Sequence, residues 1–289
     1  MKLGLFDGGR LGLIQGDVVY DVSDRVGTAV GREGLLAAYI RDGGSSLAGI
    51  DLTGIASRPL SGVRWEAPLP RPGKVMGAPA NYYDHSDEMP DSATIVDWGM
   101  FLKAPTSVTG PDSTVYLPYT DKRTDYEGEF AVVIGKAGKD IPLESALDHV
   151  FGYTCVMDIT VRSTEDRSTR KSFDTFTPLG PWVVTADEIG DPATLELGLT
   201  LNGEQRQQTS AAKLIYGVEE LIAYASTVMT LEPGDVIATG TPAGVGQLTD
   251  GDEIVVTVDK VGSLRATVSA AKAIAYADRP GPKTALQRQ

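Results

Sequence analysis

Short apolar runs, set apart by glycine, proline and Asn-Gly or Asp-Gly turns, restrict the fold of this 289-residue chain more than any other feature. Residues 130–134, 150–157, 182–184, 195–201, 236–239, 253–258 and 264–268 each have the length and composition of a strand. Asn202-Gly203, Glu232-Pro233-Gly234-Asp235 and Asp250-Gly251-Asp252 lie between such runs, and their chemistry turns a chain sharply. The clearest helix spans residues 213–229, where Leu214, Val218, Leu221, Ile222 and Ala225 fall on one face. Strands outnumber helices and do not alternate with them. This pattern predicts an α+β fold, predominantly β, and argues against a doubly wound sheet.

The chain divides on paper into three parts. Residues 1–68 read as a small N-terminal domain, with short strands at 3–6, 11–15 and 18–22 and a helix over 34–41. Pro68, Pro70, Arg71, Pro72 and Gly73 suit a linker, residues 72–277 form the larger domain, and 278–289 are a polar tail. With 42% hydrophobic residues there is material for a buried core, and no stretch approaches the length needed to span a bilayer. Cys155 is the one cysteine, so no intrachain disulfide forms, which fits a reducing cytoplasm.

Charge narrows the partners. Acidic residues number 39 against 26 basic ones, a formal charge of −13. Nucleic-acid binding needs a basic footprint, and the richest basic stretch, residues 162–171, is interrupted by Glu165 and Asp166. An acidic chain also repels acidic substrates, so a site for them needs a local cation. His85 and His149 are the only histidines, which excludes a zinc site built from several imidazoles.

Asp125-Tyr126-Glu127-Gly128-Glu129-Phe130 runs directly into an apolar strand. Side chains alternate along a strand, so Glu127 and Glu129 point to one side and Gly128 to the other. Two carboxylates so close cost free energy unless a cation or proton lies between them. Asp158 ends another apolar run, where a lone charge is costly to bury. Three such oxygens suit a hard divalent cation with positions left for substrate, and they bring such an ion near neutrality. Taken alone, Glu-x-Glu also reads as a solvated strand face, and Asp158 as a turn residue.

Several further segments follow in order. Gly77-Ala78-Pro79-Ala80-Asn81-Tyr82-Tyr83-Asp84-His85 precedes Phe101-Leu102-Lys103; later come Lys171-Ser172-Phe173-Asp174-Thr175, Pro178-Leu179-Gly180-Pro181 and Gly240-Thr241-Pro242. Together with the carboxylate segments, this series resembles the fumarylacetoacetate hydrolase superfamily in its bacterial, two-domain form, over about residues 72–270. The resemblance implies a roll of mixed β-sheets, a homodimer, and Mg²⁺ or Mn²⁺ held by Glu127, Glu129 and Asp158. It also implies catalysis on small oxo-acids: hydrolysis of a carbon–carbon bond in an acylpyruvate or related β-diketo acid. The alternatives are decarboxylation or isomerisation of an oxo-diacid at the same metal, or ligand binding without turnover.

His85 and Glu88 are three residues apart, on one face if the segment turns helical. The resemblance makes them an acid–base pair on a lid, residues 86–98, that orders over the substrate. Lys171 matches the family's substrate-facing lysine. Tyr82, Gly240 and Thr241 are candidate substrate contacts, although Gly240-Thr241-Pro242 also reads as an ordinary turn. Arg162 and Lys103 either bind substrate or pair with nearby acids. His149 and Cys155 read as structural. Many relatives carry Gln seven residues after the metal aspartate, where this chain has Glu165, a carboxylate that cannot donate an amide's hydrogen bond.

Overall fold

A computed structural model describes residues 1–29, 31–84 and 94–281. The apolar runs form strands, and their pairing produces one large sheet. From edge to edge its main path is Ser57–Pro59, Val18–Asp21, Arg10–Gln15, Lys2–Phe6, Thr177–Thr185, Val150–Met157, Gly128–Ile134, Val236–Ala238, Val75–Gly77 and Phe101–Lys103. Pairing along it is antiparallel except between Val236–Ala238 and Val75–Gly77. Lys2 and Leu3 pair with Val184 and Val183, so the N-terminal strands continue the same sheet.

A second sheet orders Glu204–Ser210, Glu196–Leu201, Glu253–Val258, Gly262–Ser269 and Ser113–Tyr116. Alternation explains why the two sheets stack. Phe130 and Val132, with Tyr153 and Cys155, bury one face of the large sheet against Leu197, Leu199, Ile254, Val256 and Leu264. Ala131 and Val133, from the same strand, face the other way and pack with Leu3, Leu5, Leu36 and Ile40. The central strands are therefore covered on both sides, which is why they read as continuous apolar runs. A third, short sheet joins Thr160–Val161, Thr124–Tyr126 and Gly246–Gln247.

The N-terminal helix is Leu35–Arg41, close to its expected span. The helix expected over 213–229 is shorter, Val218–Val228. Its predicted first turn is drawn away: Asn81 accepts from the Ile215 and Tyr216 N–H groups at 2.8 and 2.9 Å. Glu220 then accepts from the Gly217 N–H at 2.7 Å and starts the helix there. Glu204–Ser210 has no apolar alternation and escapes a sequence reading, yet its Gln207 and Thr209 are buried. Asn202 and Gly203, both at positive φ, make the hairpin turn expected of them. His149 is buried with Nδ1 2.9 Å from Lys136 O, and Cys155 is buried within its strand. Among the described residues no helix is long and apolar enough to cross a membrane.

Candidate metal centre

Three neighbouring strand ends bring the acidic residues together. Gly128 is in register with Met157, so Glu127 and Asp158 follow one another across the ladder, and the Asp158 N–H donates to Glu127 O at 2.8 Å. Glu127, Glu129 and Asp158 are 6%, 2% and 1% exposed, and an oxygen from each lies within 4.8 Å of the other two. Gly128 points away, as alternation requires. A Cβ there would meet Leu199 Cδ1 at 2.9 Å, with Gln207 Oε1 and Val256 Cγ2 at 3.1 Å.

Cationic side chains surround this cluster. Lys171, the last residue of the helix Arg167–Lys171, places Nζ 2.7 Å from Glu127 Oε2 and also donates to Asp158 Oδ2. Lys103 donates to Asp158 Oδ1 at 2.6 Å and to Phe176 O at 2.8 Å. Arg162 spans Asp125 Oδ2 at 2.7 Å and Glu127 Oε1 at 3.1 Å. Of the two sequence readings of Arg162 and Lys103, the structure displays the pairing with acids. Asp125, buried and bonded to Arg123 as well, belongs to the same network. Its burial was not legible, because Asp125 precedes the apolar run and its partners lie far along the chain.

The loop after Val236–Ala238 closes the third side. The Gly240 N–H donates to Glu129 Oε2 at 2.6 Å, and the Thr241 hydroxyl donates to Gly128 O at 3.0 Å. The sequence leaves both open between substrate contacts and an ordinary turn. In the structure both donors serve the ligand strand, because a buried carboxylate and a buried carbonyl each require a donor. Gln207 accepts from the Gly128 N–H at 2.9 Å and donates to Thr241 Oγ1 at 2.8 Å and Pro242 O at 2.9 Å. Tyr82 is fully buried and bridges to Leu214. Its phenol is pushed upward by burial, and the negative charge of Glu129 adds to that shift.

The titration of the cluster follows from its geometry. Burial holds the Glu129 carboxyl well above the ordinary range, and Asp158 and Glu127 reinforce it by repulsion. Burial lowers Lys103 more than Asp158 raises it, and the charge of Lys171 adds to the lowering. Burial also opposes the charge on Lys171, but Asp158 and Glu127 together outweigh it and hold the ammonium above its usual value. Three mutually repelling oxygen donors, with the Glu129 carboxyl pushed upward by burial and by its neighbours, are a set that a hard divalent cation satisfies.

His85 and Glu88 lie outside the described residues, as does most of the expected lid. Its last residues form a short helix, Ile95–Trp98, with Thr94 as N-cap. The Glu165 side chain accepts from Tyr276 OH and pairs with Arg279.

Residues 74–269 match the model of the fumarylacetoacetate (FAA) hydrolase C-terminal family. The chain belongs to the fumarylacetoacetate hydrolase family. This family member is 42% identical over 281 residues to a maleylpyruvate hydrolase of Aquipseudomonas alcaligenes, a match that takes in 91% of this chain and 98% of that protein. It is 45% identical over 219 residues to the oxaloacetate tautomerase YisK of Bacillus subtilis, covering 71% of this chain and 73% of that one. Among solved structures, maleylpyruvate hydrolase from Sphingobium sp. SYK-6 in complex with manganese (II) ion and pyruvate is similar, with a TM-score of 0.84 at 39% identity. That likeness covers 93% of this chain and 99% of the other. The β-rich mixed-sheet fold expected of the family is therefore the fold found.

Proposed function

We propose that this family member hydrolyses a carbon–carbon bond in an acylpyruvate, with maleylpyruvate as the first candidate substrate and a divalent ion, Mg²⁺ or Mn²⁺, as cofactor. The buried triad Glu127, Glu129 and Asp158 carries this reading. These side chains would hold the ion, since three carboxylate oxygens are the donors such cations prefer. When bound, the ion supplies Lewis-acid stabilisation of negative charge on the oxygens of an α-keto acid.

The chain's own residues do the rest. Lys171 and Lys103 fix the two oxygens of Asp158, and Gly240 N–H fixes Glu129, so the donors are oriented before any ligand arrives. Asp125, Glu127, Glu129 and Asp158, set against Arg123, Arg162, Lys103, Lys171 and one divalent ion, leave a net charge of +2 when all are ionised. That local charge draws in an anionic substrate despite the −13 of the whole chain. His85, oriented by Glu88, takes a proton from water. The oxygen of that water bonds to the acyl carbonyl carbon. The bond from that carbon to the pyruvate methylene breaks, its electron pair leaves with the pyruvate fragment, and that fragment takes up a proton.

Product identification tests this directly. With Mg²⁺ or Mn²⁺ present, maleylpyruvate should give maleate and pyruvate in equal amounts. The likeness to an oxaloacetate tautomerase gives the second reading. Interconversion of oxaloacetate tautomers, or release of carbon dioxide, without any cleavage of acylpyruvates would overturn the hydrolytic assignment. The resemblance to the family also supports a homodimer, which light scattering would register as twice the mass of one chain.

A further inference from the structure

Arg162, Arg167, Arg170 and Lys171 put four cationic side chains within ten positions of the chain. Arg162 and Lys171 are taken up by the carboxylates of the metal centre. The other two are not. Among the described residues neither Arg167 nor Arg170 has a carboxylate partner. Arg170 makes a long contact of 3.4 Å from one terminal nitrogen to Ser163 O, and its Nε is buried without a hydrogen-bond acceptor. The Arg167 guanidinium lies 3.9 Å from the ring centroid of Trp98, the last residue of the short helix Ile95–Trp98.

This arrangement is costly in a chain with so many acids available. Burial, then the like charge of Arg170, pulls Arg167 below its usual pKa, and Arg162 adds to the repulsion. Arg167 stands four residues before Lys171 on the helix Arg167–Lys171, so the two share a face, and Lys171 reaches Glu127 and Asp158. The contact with Trp98 is a cation–π interaction, which steadies the guanidinium over the ring. The in-plane N–H donors form a fork that matches a carboxylate, and no described residue takes any of them.

We propose that Arg167, with Arg170 beside it, receives a second carboxylate of the substrate. The site then selects acylpyruvates whose acyl chain ends in a carboxylate over those ending in a methyl group. This assignment rests on the acylpyruvate reading and deepens it: the metal-centre residues read the pyruvate end, and the arginines read the distal end. Arg170 borders a cavity of about 350 Å³ that Tyr119, Phe173, Thr169, Ser172, Glu165 and Arg279 also line.

The test compares kcat/KM for maleylpyruvate, a diacid, with that for acetylpyruvate, a monoacid, in the metal-loaded enzyme and in Arg167→Gln and Arg167→Lys. A charge-assisted bond to a carboxylate predicts a loss of about 10- to 100-fold on the diacid in Arg167→Gln. The monoacid should fall by much less, so the preference collapses. Arg167→Lys should restore part of it, since charge returns without the fork. An equal fall on both substrates, or no fall on either, overturns the assignment while leaving hydrolysis intact. An unsubstituted enzyme that cleaves neither substrate overturns the hydrolytic reading itself, and this assignment with it.

Discussion

Glu129 is the residue on which the electrostatics concentrate. Burial, with Asp158 and Glu127 adjacent, raises its carboxyl well above the ordinary 4.5, so the folded chain binds that proton more tightly than the unfolded chain. The stability linked to a raised group is full below the unfolded value and is lost as pH climbs through the folded one. Chelator-treated protein should therefore lose melting temperature as pH rises from about 4.5 toward the folded pKa of Glu129. Glu129→Gln cannot ionise and should flatten that slope. A divalent ion competes with the same proton, so its affinity should rise with pH over the same interval. A slope identical in wild type and Glu129→Gln would remove Glu129 as the titrating group. Glu127 and Glu129 were legible because a period of two places them on one side of a strand. The partners of Arg162 and Lys103 were not, since an ion pair between distant segments leaves no local pattern.

At the scale of elements, the ligand strand is held from behind by a strand that no apolar pattern announces. Gln207, on Glu204–Ser210, clamps the Gly128 N–H that separates Glu127 from Glu129, and ties it to Thr241 and Pro242 of the closing loop. Replacing it with leucine leaves the Gly128 N–H and the Pro242 carbonyl buried without partners, at about 1–3 kcal/mol for each group. Urea unfolding of Gln207→Leu should show that loss, with weakened ion binding because the strand carrying Glu127 and Glu129 is released. Gln207→Glu keeps the acceptor for Gly128 but turns a carboxylate oxygen onto the Pro242 carbonyl in a buried position, and should lose at least as much as Gln207→Leu. Stability unaffected by Gln207→Leu would show that the loop and strand hold position without the clamp. Sequence patterning fails here for a physical reason: Gln207 is buried by hydrogen bonding, and apolar periodicity detects only burial by hydrophobic contact. Partners remote in sequence also set the start of the helix at Val218: Leu214 is extended and bridges to Tyr82, and Asn81 accepts from the Ile215 and Tyr216 amides.

The whole molecule converts remote sequence positions into one site. Glu127, Asp158, Lys171 and Gly240 come from separate segments, and the sheet order places the ends of Gly128–Ile134, Val150–Met157 and Val236–Ala238 side by side. The predominance of strands was readable from turn chemistry and run length. The order of those strands was not, because pairing between distant segments depends on packing across the whole core. Nor did the sequence reveal that the N-terminal strands extend the large sheet through Lys2 and Leu3. We propose that this convergence makes a site for one divalent cation. Calorimetric titration of chelator-stripped protein with Mn²⁺ tests it most directly. One ion should bind per chain in the wild type, and binding should be lost or weakened at least about tenfold in Glu127→Gln and Asp158→Asn with the fold retained. Equal affinity in wild type and both variants, or no binding by a folded wild-type chain, would contradict it.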